Sequence, residues 1–383
     1  MPVFLNPKHP DADLWSGLNW PLARLHARRK PRATSRRITP LHIGLVNNMA
    51  DAAMEATEHQ FLALLEAAAG DRPVRITFFA LPEIERNLEA QRRVDSFYFG
   101  VERLWQQPPE QWPDGLIVTG REPLTADLRD ETYWPSLKRL LAWTQMHSRS
   151  AVWSCLAAHA AVLALDGIER VRSPQKQFGI FTCQQMAPHD LLAGAPVSLR
   201  MPHSRWNGLC ADQLASNGYQ VLTYNRASGV DIFVKQGPAL FVFFQGHPEY
   251  ESETLMREYR RDVGRYLRGE METYPLPPAH YFDAGTERSL REMEAKAGTS
   301  RPEQLVGEVS AVLNRAQIDN TWRGTATLIY RNWLDYLWTQ RHLQGNAGST
   351  VAGARPASAP ATGTASMQNE YDLRQTYRPI AAR

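Results

Sequence analysis

The sequence predicts an α/β fold: a doubly wound, mostly parallel, flavodoxin-like sheet with helices on both faces and flexible N- and C-terminal extensions. Three observations predict it. Short apolar runs of strand length recur along the chain, and such runs read as strands buried on both faces. Helical segments separate them, as parallel pairing requires. The runs end on residues suited to the carboxyl edge of a sheet, among them Asn47-Asn48, Gly120, Cys155 and Gln245-Gly246-His247.

In chain order, residues 41–46 form the first apolar run, and a helix follows with Phe61, Leu62, Leu64 and Leu65 at its apolar positions. Residues 74–79 and 115–120 are the next strands, the latter ended by glycine. Residues 137–146 read as a helix, and residues 151–154 lead as a strand into Cys155. From Leu156 the alanine- and leucine-rich run is strongly helical. Later strand candidates are 220–223, 231–234 and 240–244. Trp322, Trp333, Tyr336 and Trp338 mark an aromatic C-terminal helix, expected to pack on the core or across a subunit contact. Residues 1–37 read as a basic N-terminal extension, 38–344 as the folded domain, and 345–383, rich in Ala, Gly, Ser, Thr and Pro, as a mostly disordered tail.

Composition narrows the function. A chain of 383 residues with 43% hydrophobic content can bury a sizeable core. No apolar run approaches the roughly 20 residues that span a bilayer, and the first residues lack a secretory layout. A cytoplasmic protein without membrane contact is expected. Cys155, Cys183 and Cys210 form no Cys-x-x-Cys pair, so no structural metal site is expected. No dinucleotide-binding glycine motif is present. Residues 1–37 hold eight Lys/Arg against two Asp, including Arg28-Arg29-Lys30-Pro31-Arg32. Such a cluster can touch nucleic acid or an anionic surface, but without interleaved aromatics it reads as a solvated arm, and no nucleic-acid partner is expected.

Cys155 carries the first chemical signal. A cysteine where a strand becomes a helix exposes its sulfur above the sheet, where ligands bind in doubly wound folds. The helix N-terminus favours the thiolate, and the following N–H, from Leu156, can stabilise an oxyanion. A buried cysteine packed as a small hydrophobe is the alternative at this stage. The second signal is Gly246-His247-Pro248-Glu249-Tyr250, which follows the strand at 240–244. His247 can act as base, and Glu249 can hold its other ring N–H. His159, one helical turn beyond Cys155, is expected to pack or to contact substrate.

At these residues the chain resembles the MetA family of homoserine O-acyltransferases, which act as succinyl- or acetyltransferases on a class I glutamine-amidotransferase-like fold. The resemblance covers roughly residues 40–342. Its anchors are residues 114–120, Tyr133-Trp134, Trp153-Ser154-Cys155, Pro202-His203-Ser204-Arg205, Gly246-His247-Pro248-Glu249-Tyr250, Arg261-Asp262 and Asn332-Trp333-Leu334. It implies that Cys155 takes the acyl group from acyl-CoA as a thioester, that His247 activates the L-homoserine hydroxyl, and that Glu249 positions His247. Lys176, Ser204 and Arg261 match the family's substrate-binding residues, and donors of this kind suit an α-carboxylate. The place implied is methionine biosynthesis, with acyl-CoA as cosubstrate rather than bound cofactor, no metal, and a homodimer.

Two departures bear on specificity. The family's Pro-Lys-Lys stretch after the first strand is replaced by Asn48-Met49-Ala50-Asp51-Ala52-Ala53-Met54-Glu55. The acyl-selecting position, glycine for succinyl and glutamate for acetyl, falls on Leu124 within Arg121-Glu122-Pro123-Leu124-Thr125. Leucine removes a carboxylate that would repel succinate but adds bulk, Arg121 can pair with a succinyl carboxylate, and Glu122 can repel one. Succinyl is slightly favoured over acetyl. Three alternatives stand beside this reading: an acyltransferase of the same mechanism acting on serine or another amino alcohol, a class I glutamine-amidotransferase-like hydrolase, and a catalytically silent nucleic-acid-binding relative.

Overall fold

The structure is a computed structural model that describes residues 3–6, 39–298, 300–302 and 304–351. The chain divides into two units, Met1–His342 and Leu343–Arg383. The basic cluster at 28–32 and the tail from 352 onward lie outside the described residues.

A nine-stranded sheet forms the centre of the first unit. Its strands are β1 (Val3–Leu5), β2 (Leu41–Val46), β3 (Val74–Ala80), β4 (Tyr98–Gly100), β5 (Gly115–Val118), β6 (Ser150–Ser154), β9 (Gln220–Val221), β12 (Ile232–Gln236) and β13 (Leu240–Phe244). The order is β1-β3-β2-β5-β6-β13-β12-β9, with β4 also on β3. Pairing is parallel from β1 to β13, and β12 and β9 are antiparallel additions at one edge. The doubly wound, mostly parallel sheet that the sequence predicts is therefore present.

The alternation of strand side chains divides the core. Ile43, Ile117, Val152, Val242 and Phe244 face one side, where helices α1 (Asp51–Ala69) and α8 (Arg323–Val351) cover them with Phe61, Leu65, Ile329, Tyr330, Trp333 and Leu337. Leu116, Val118, Trp153, Phe241 and Phe243 face the other, beneath α3 (Trp134–His147) and α4 (Leu156–Asp166). A shorter helix, α2 (Leu88–Phe97), runs directly into β4. Uninterrupted apolar runs are what a sheet covered on both faces demands. The aromatic C-terminal helix packs on the core: Trp333 Nε1 donates to Ser150 Oγ at 2.9 Å. Its Leu337 lies so close to the start of β5 that a Cβ on Gly115 would come within 2.7 Å of it.

A smaller, four-stranded sheet stands apart from the large one. Its main feature is the antiparallel pair β7 (Val171–Gln185) and β8 (Ser198–Gly208), with β10 (Thr223–Asn225) and β11 (Gly229–Val230) completing it. A third apolar cluster joins Phe178 and Ile180 of β7 to α5 (Thr254–Leu267), α6 (Ala284–Ala297), α7 (Leu305–Leu313) and Trp322.

Two expectations need correction, and one strand pair was not anticipated. Val3–Leu5 is not part of an extension but pairs with β3, because Val3 and Leu5 are apolar and become buried there. The strand expected at 220–223 is two strands in different sheets; Leu222 marks the crossing, its N–H bonded to Ile232 O at 2.8 Å. The pair β7–β8 has no counterpart in the sequence reading. Its residues are mostly polar, Pro174 and Gly179 interrupt it, and its register breaks between Arg172 and Gln177.

Candidate active site

Cys155 stands where β6 becomes α4, with φ 52° and ψ −112°. An L-residue adopts such a backbone only where its surroundings impose it. Here the Cys155 N–H donates to Phe244 O at 2.7 Å, tying the turn to the end of β13. The half-buried sulfur is held at the carboxyl edge of the sheet, the geometry of a nucleophile elbow. Gly120, at the end of β5, makes room for it. A Cβ there would lie 2.6 Å from Ala157 N and 2.8 Å from Leu156 Cβ. In the first turn of α4, Ala158 N donates to Cys155 O at 3.0 Å, whereas the N–H groups of Leu156 and Ala157 come too early in the helix to have a helical acceptor.

The adjacent strand end supplies the second element. The turn after β13 is pinned by Gly246 N donating to Asp231 Oδ1 (3.1 Å) and by His247 N donating to Pro202 O (2.8 Å). A Cβ on Gly246 would come within 2.7 Å of Asp231 Oδ1, so only glycine allows this approach. His247 Nδ1 and Glu249 Oε1 are 2.8 Å apart, and the Tyr250 ring stacks on the imidazole at 4.2 Å between centroids. Burial disfavours charge on His247, but the neighbouring Cys155 sulfur and the Glu249 carboxylate outweigh it and raise its pKa well above the ordinary value. Cys155, His247 and Glu249, the residues expected as nucleophile, base and orienting carboxylate, are thus neighbours in the fold.

One cavity of about 1490 Å³ joins these groups to most of the other predicted residues: Leu156, Lys176, Ser204, Arg261 and Arg121 all line it. Lys176 Nζ reaches Asp262 Oδ2 at 3.1 Å, and Arg261 reaches Asp262 Oδ1 at 2.8 Å, so one carboxylate bridges both cations. Ser204 Oγ donates to Glu258 Oε2, and Tyr250 O–H donates to Glu258 Oε1 at 2.6 Å. Leu124 is the exception. It is 76% exposed and is not among the cavity-lining residues. Glu131 Oε1 accepts from Leu124 N (2.6 Å) and Thr125 N (2.8 Å), and this backbone anchoring turns the leucine side chain to solvent. Its neighbours Arg121, Glu122, Pro123 and Thr125 line the cavity instead.

His159 both packs and reaches the cavity. Gln245 Nε2 donates to Val230 O (2.7 Å), which leaves Gln245 Oε1 to accept from His159 Nε2 at 2.9 Å. Burial, with the Arg205 charge adding to it, lowers the His159 pKa to about 3, so the ring is neutral.

Sequence reasoning missed a buried network behind His247. Arg205 is 5% exposed; its Nε lies 3.2 Å from His203 Nδ1, and its guanidinium also donates to Ser228 O and Asn207 O. His203 Nε2 faces Asp231 Oδ1 at 3.5 Å. Burial, with the Arg205 charge adding to it, drives the His203 pKa well down, and burial raises that of Asp231 to about 6. Cys183, His203 and Asp231 have ligand atoms close enough to hold an ion. Because Arg205 Nε–H is only a donor, however, His203 Nδ1 accepts and its proton sits on Nε2, leaving no lone pair toward that triad. The burial of β8 alternates, with His203 and Arg205 inside and Ser204 and Trp206 outward, but polar residues on both faces left no sequence signal for it. Glu258, Arg261, Asp262 and Arg265 share one face of α5 at helical spacing, and all four line the cavity.

A cysteine and a carboxylate-bound histidine at adjacent strand ends of a doubly wound sheet are an arrangement suited to covalent catalysis. The sequence model of the homoserine O-succinyltransferase family matches residues 23–343. The homoserine O-succinyltransferase of Rhodopseudomonas palustris is 46% identical over 81% of this chain and 91% of its own length. That of Bradyrhizobium japonicum is 44% identical over 78% and 90%. Among solved structures, the chain is similar to a glutamine amido transferase from Methylobacillus flagellatus, at 15% identity and a TM-score of 0.40, covering 74% of this chain and 97% of that one. The chain belongs to the homoserine O-succinyltransferase family. Among its described residues no helix is long and apolar enough to cross a membrane.

Proposed function

We propose that the protein is a homoserine O-acyltransferase of methionine biosynthesis that moves a succinyl group from succinyl-CoA to the L-homoserine hydroxyl through a thioester on Cys155. The Cys155–His247–Glu249 set carries this reading. An imidazolium beside the sulfur favours thiolate, which attacks the acyl-CoA carbonyl while the Leu156 N–H steadies the oxyanion. The carbon–sulfur bond to CoA breaks, and the CoA thiolate leaves with the proton of His247. The homoserine hydroxyl then attacks the Cys155 thioester and gives its proton to His247, and O-acylhomoserine departs as the thiolate re-forms. Glu249 stabilises the imidazolium at each stage. Lys176, Ser204 and Arg261 hold the amino acid, with Asp262 and Glu258 fixing their side chains and able to accept from its ammonium group. Arg121, with an Nε that has no partner, serves a succinyl carboxylate.

The test is to incubate the protein with succinyl-CoA or acetyl-CoA and look by mass spectrometry for an acyl adduct on Cys155, then to add homoserine or serine and follow its loss. Labelling by succinyl-CoA that homoserine discharges supports the reading. No adduct from either donor, with Cys155→Ser retaining turnover, would sink it.

A further inference from the structure

We propose that Arg170, Arg172 and Trp206 form a subsite for a nucleoside phosphate, which takes the adenosine phosphate end of the CoA thioester. The inference rests on the acyl-CoA reading above only for the source of that nucleotide.

The cavity is far larger than an amino acid and a short acyl chain need, since sites for drug-sized ligands run from about 300 to 1,000 Å³. Its lining continues along the β7–β8 pair, away from the residues assigned to the amino acid, to Arg170, Arg172, Trp206 and Asn207. Trp206 lies two residues beyond Ser204 on β8, hence on the same face and about 7 Å further along the strand. Arg172 is in register with Asn207, and its guanidinium sits 4.6 Å over the Trp206 ring. Between Arg172 and Gln177 the pairing breaks, and Pro174 and Gln175 line the cavity from this irregular stretch.

The charges at this end differ from those at the other. Lys176 and Arg261 are already bridged by Asp262. Among the described residues no carboxylate lies within ion-pair distance of Arg170 or Arg172: Arg170 donates to Ala126 O at 3.2 Å, Arg172 rests on Trp206, and the neighbouring Glu169 is taken by Arg129. Two guanidinium groups outside any salt bridge among the described residues, with Arg170 sensed by the nearby Asp127 carboxylate, beside an indole that is 40% exposed are the materials for phosphate and base recognition. Guanidinium forks bind phosphate oxygens, and an aromatic face stacks any nucleobase. A cation–π pair serving only to stiffen the strands would need neither the exposed ring nor the second arginine.

The full-length protein, Arg172→Glu, Trp206→Ala and the conservative Arg172→Lys are compared in two measurements. The first is calorimetric binding of adenosine 3′,5′-bisphosphate, with CoA as competitor. The wild type should bind it, less tightly as salt rises, and CoA should displace it. Arg172→Glu and Trp206→Ala should each weaken binding by about tenfold, with Arg172→Lys closer to wild type. The second is the KM for succinyl-CoA against that for succinyl-N-acetylcysteamine, a thioester with no nucleotide. The variants should raise the first about tenfold and leave the second unchanged. No nucleotide binding by the wild type, equal binding by all variants, failure of CoA to compete, or an equal loss with both donors would each overturn the proposal. If no thioester is turned over at all, the acyl-transfer reading fails, and the calorimetry alone decides the subsite.

Discussion

Replacing Cys155 by glycine should give a more stable protein than replacing it by alanine. Both variants lack the sulfur, so they share the loss of its contacts and charge and differ only in the Cβ. At φ 52° and ψ −112° a Cβ is strained, which typically costs about 1–3 kcal/mol. Glycine relieves that cost but gives the unfolded chain more freedom, an opposing term of about 0.4–1 kcal/mol. The difference leaves glycine ahead by roughly 0.5–2 kcal/mol. At an ordinary position glycine trails alanine by about 0.5–1 kcal/mol, so the sign itself is the readout. Urea titration followed by tryptophan fluorescence measures it, with equal m-values required for the comparison. Alanine more stable than glycine by the ordinary margin would refute the strained elbow and, with it, the idea that the fold holds Cys155 in place against its backbone preference.

Four further outcomes follow from the geometry. Glu249→Gln should cut kcat about 10²–10⁴-fold with little change in melting temperature, because it removes the charge that holds the His247 imidazolium; steady-state kinetics and thermal melts check this. The raised His247 pKa means that its charged form stabilises the fold below the unfolded value of 6.5 and that this contribution is lost as pH rises through the folded value. In Cys155→Ala, His247 should therefore titrate lower than in the wild type by NMR, and an unchanged titration would show that the sulfur is not its partner. Gly120→Ala forces a Cβ to 2.6 Å from Ala157 N and should lower kcat about 10²–10³-fold by displacing the first turn of α4, with KM the less affected constant. Trp333→Ala removes a fully buried indole and its bond to Ser150 and should cost about 3–5 kcal/mol in denaturant titration.

The sheet was legible because its signal is local. Runs such as 41–46 and 240–244 have the length and β-rich composition of strands buried on both faces, and the residues that end them mark the carboxyl edge where chemistry collects. Cys155 and His247 were found that way. The alternation of β8 was legible only in retrospect, because polar residues in a strand do not say which of their faces is buried. Leu124 shows the reverse failure: counting along a motif places a residue in sequence, not in space, and three acceptor contacts to Glu131 decide where its loop points.

By itself, then, the sequence determined the doubly wound sheet, a cysteine at one strand end, and a histidine and carboxylate at another. Short-range periodicity and spacing place these residues, and the family resemblance implies their roles. Only the tertiary structure decided that Asp262 bridges Lys176 and Arg261 across separate elements. It also decided that Arg205, His203 and Asp231 form one buried network, and that Arg172 and Trp206 share a cavity wall. Lys176 and Asp262, His203 and Asp231, and Arg172 and Trp206 each lie tens of positions apart and meet through side-chain contacts. No local pattern encodes them, because the chain must first close its strands into two sheets before the partners meet.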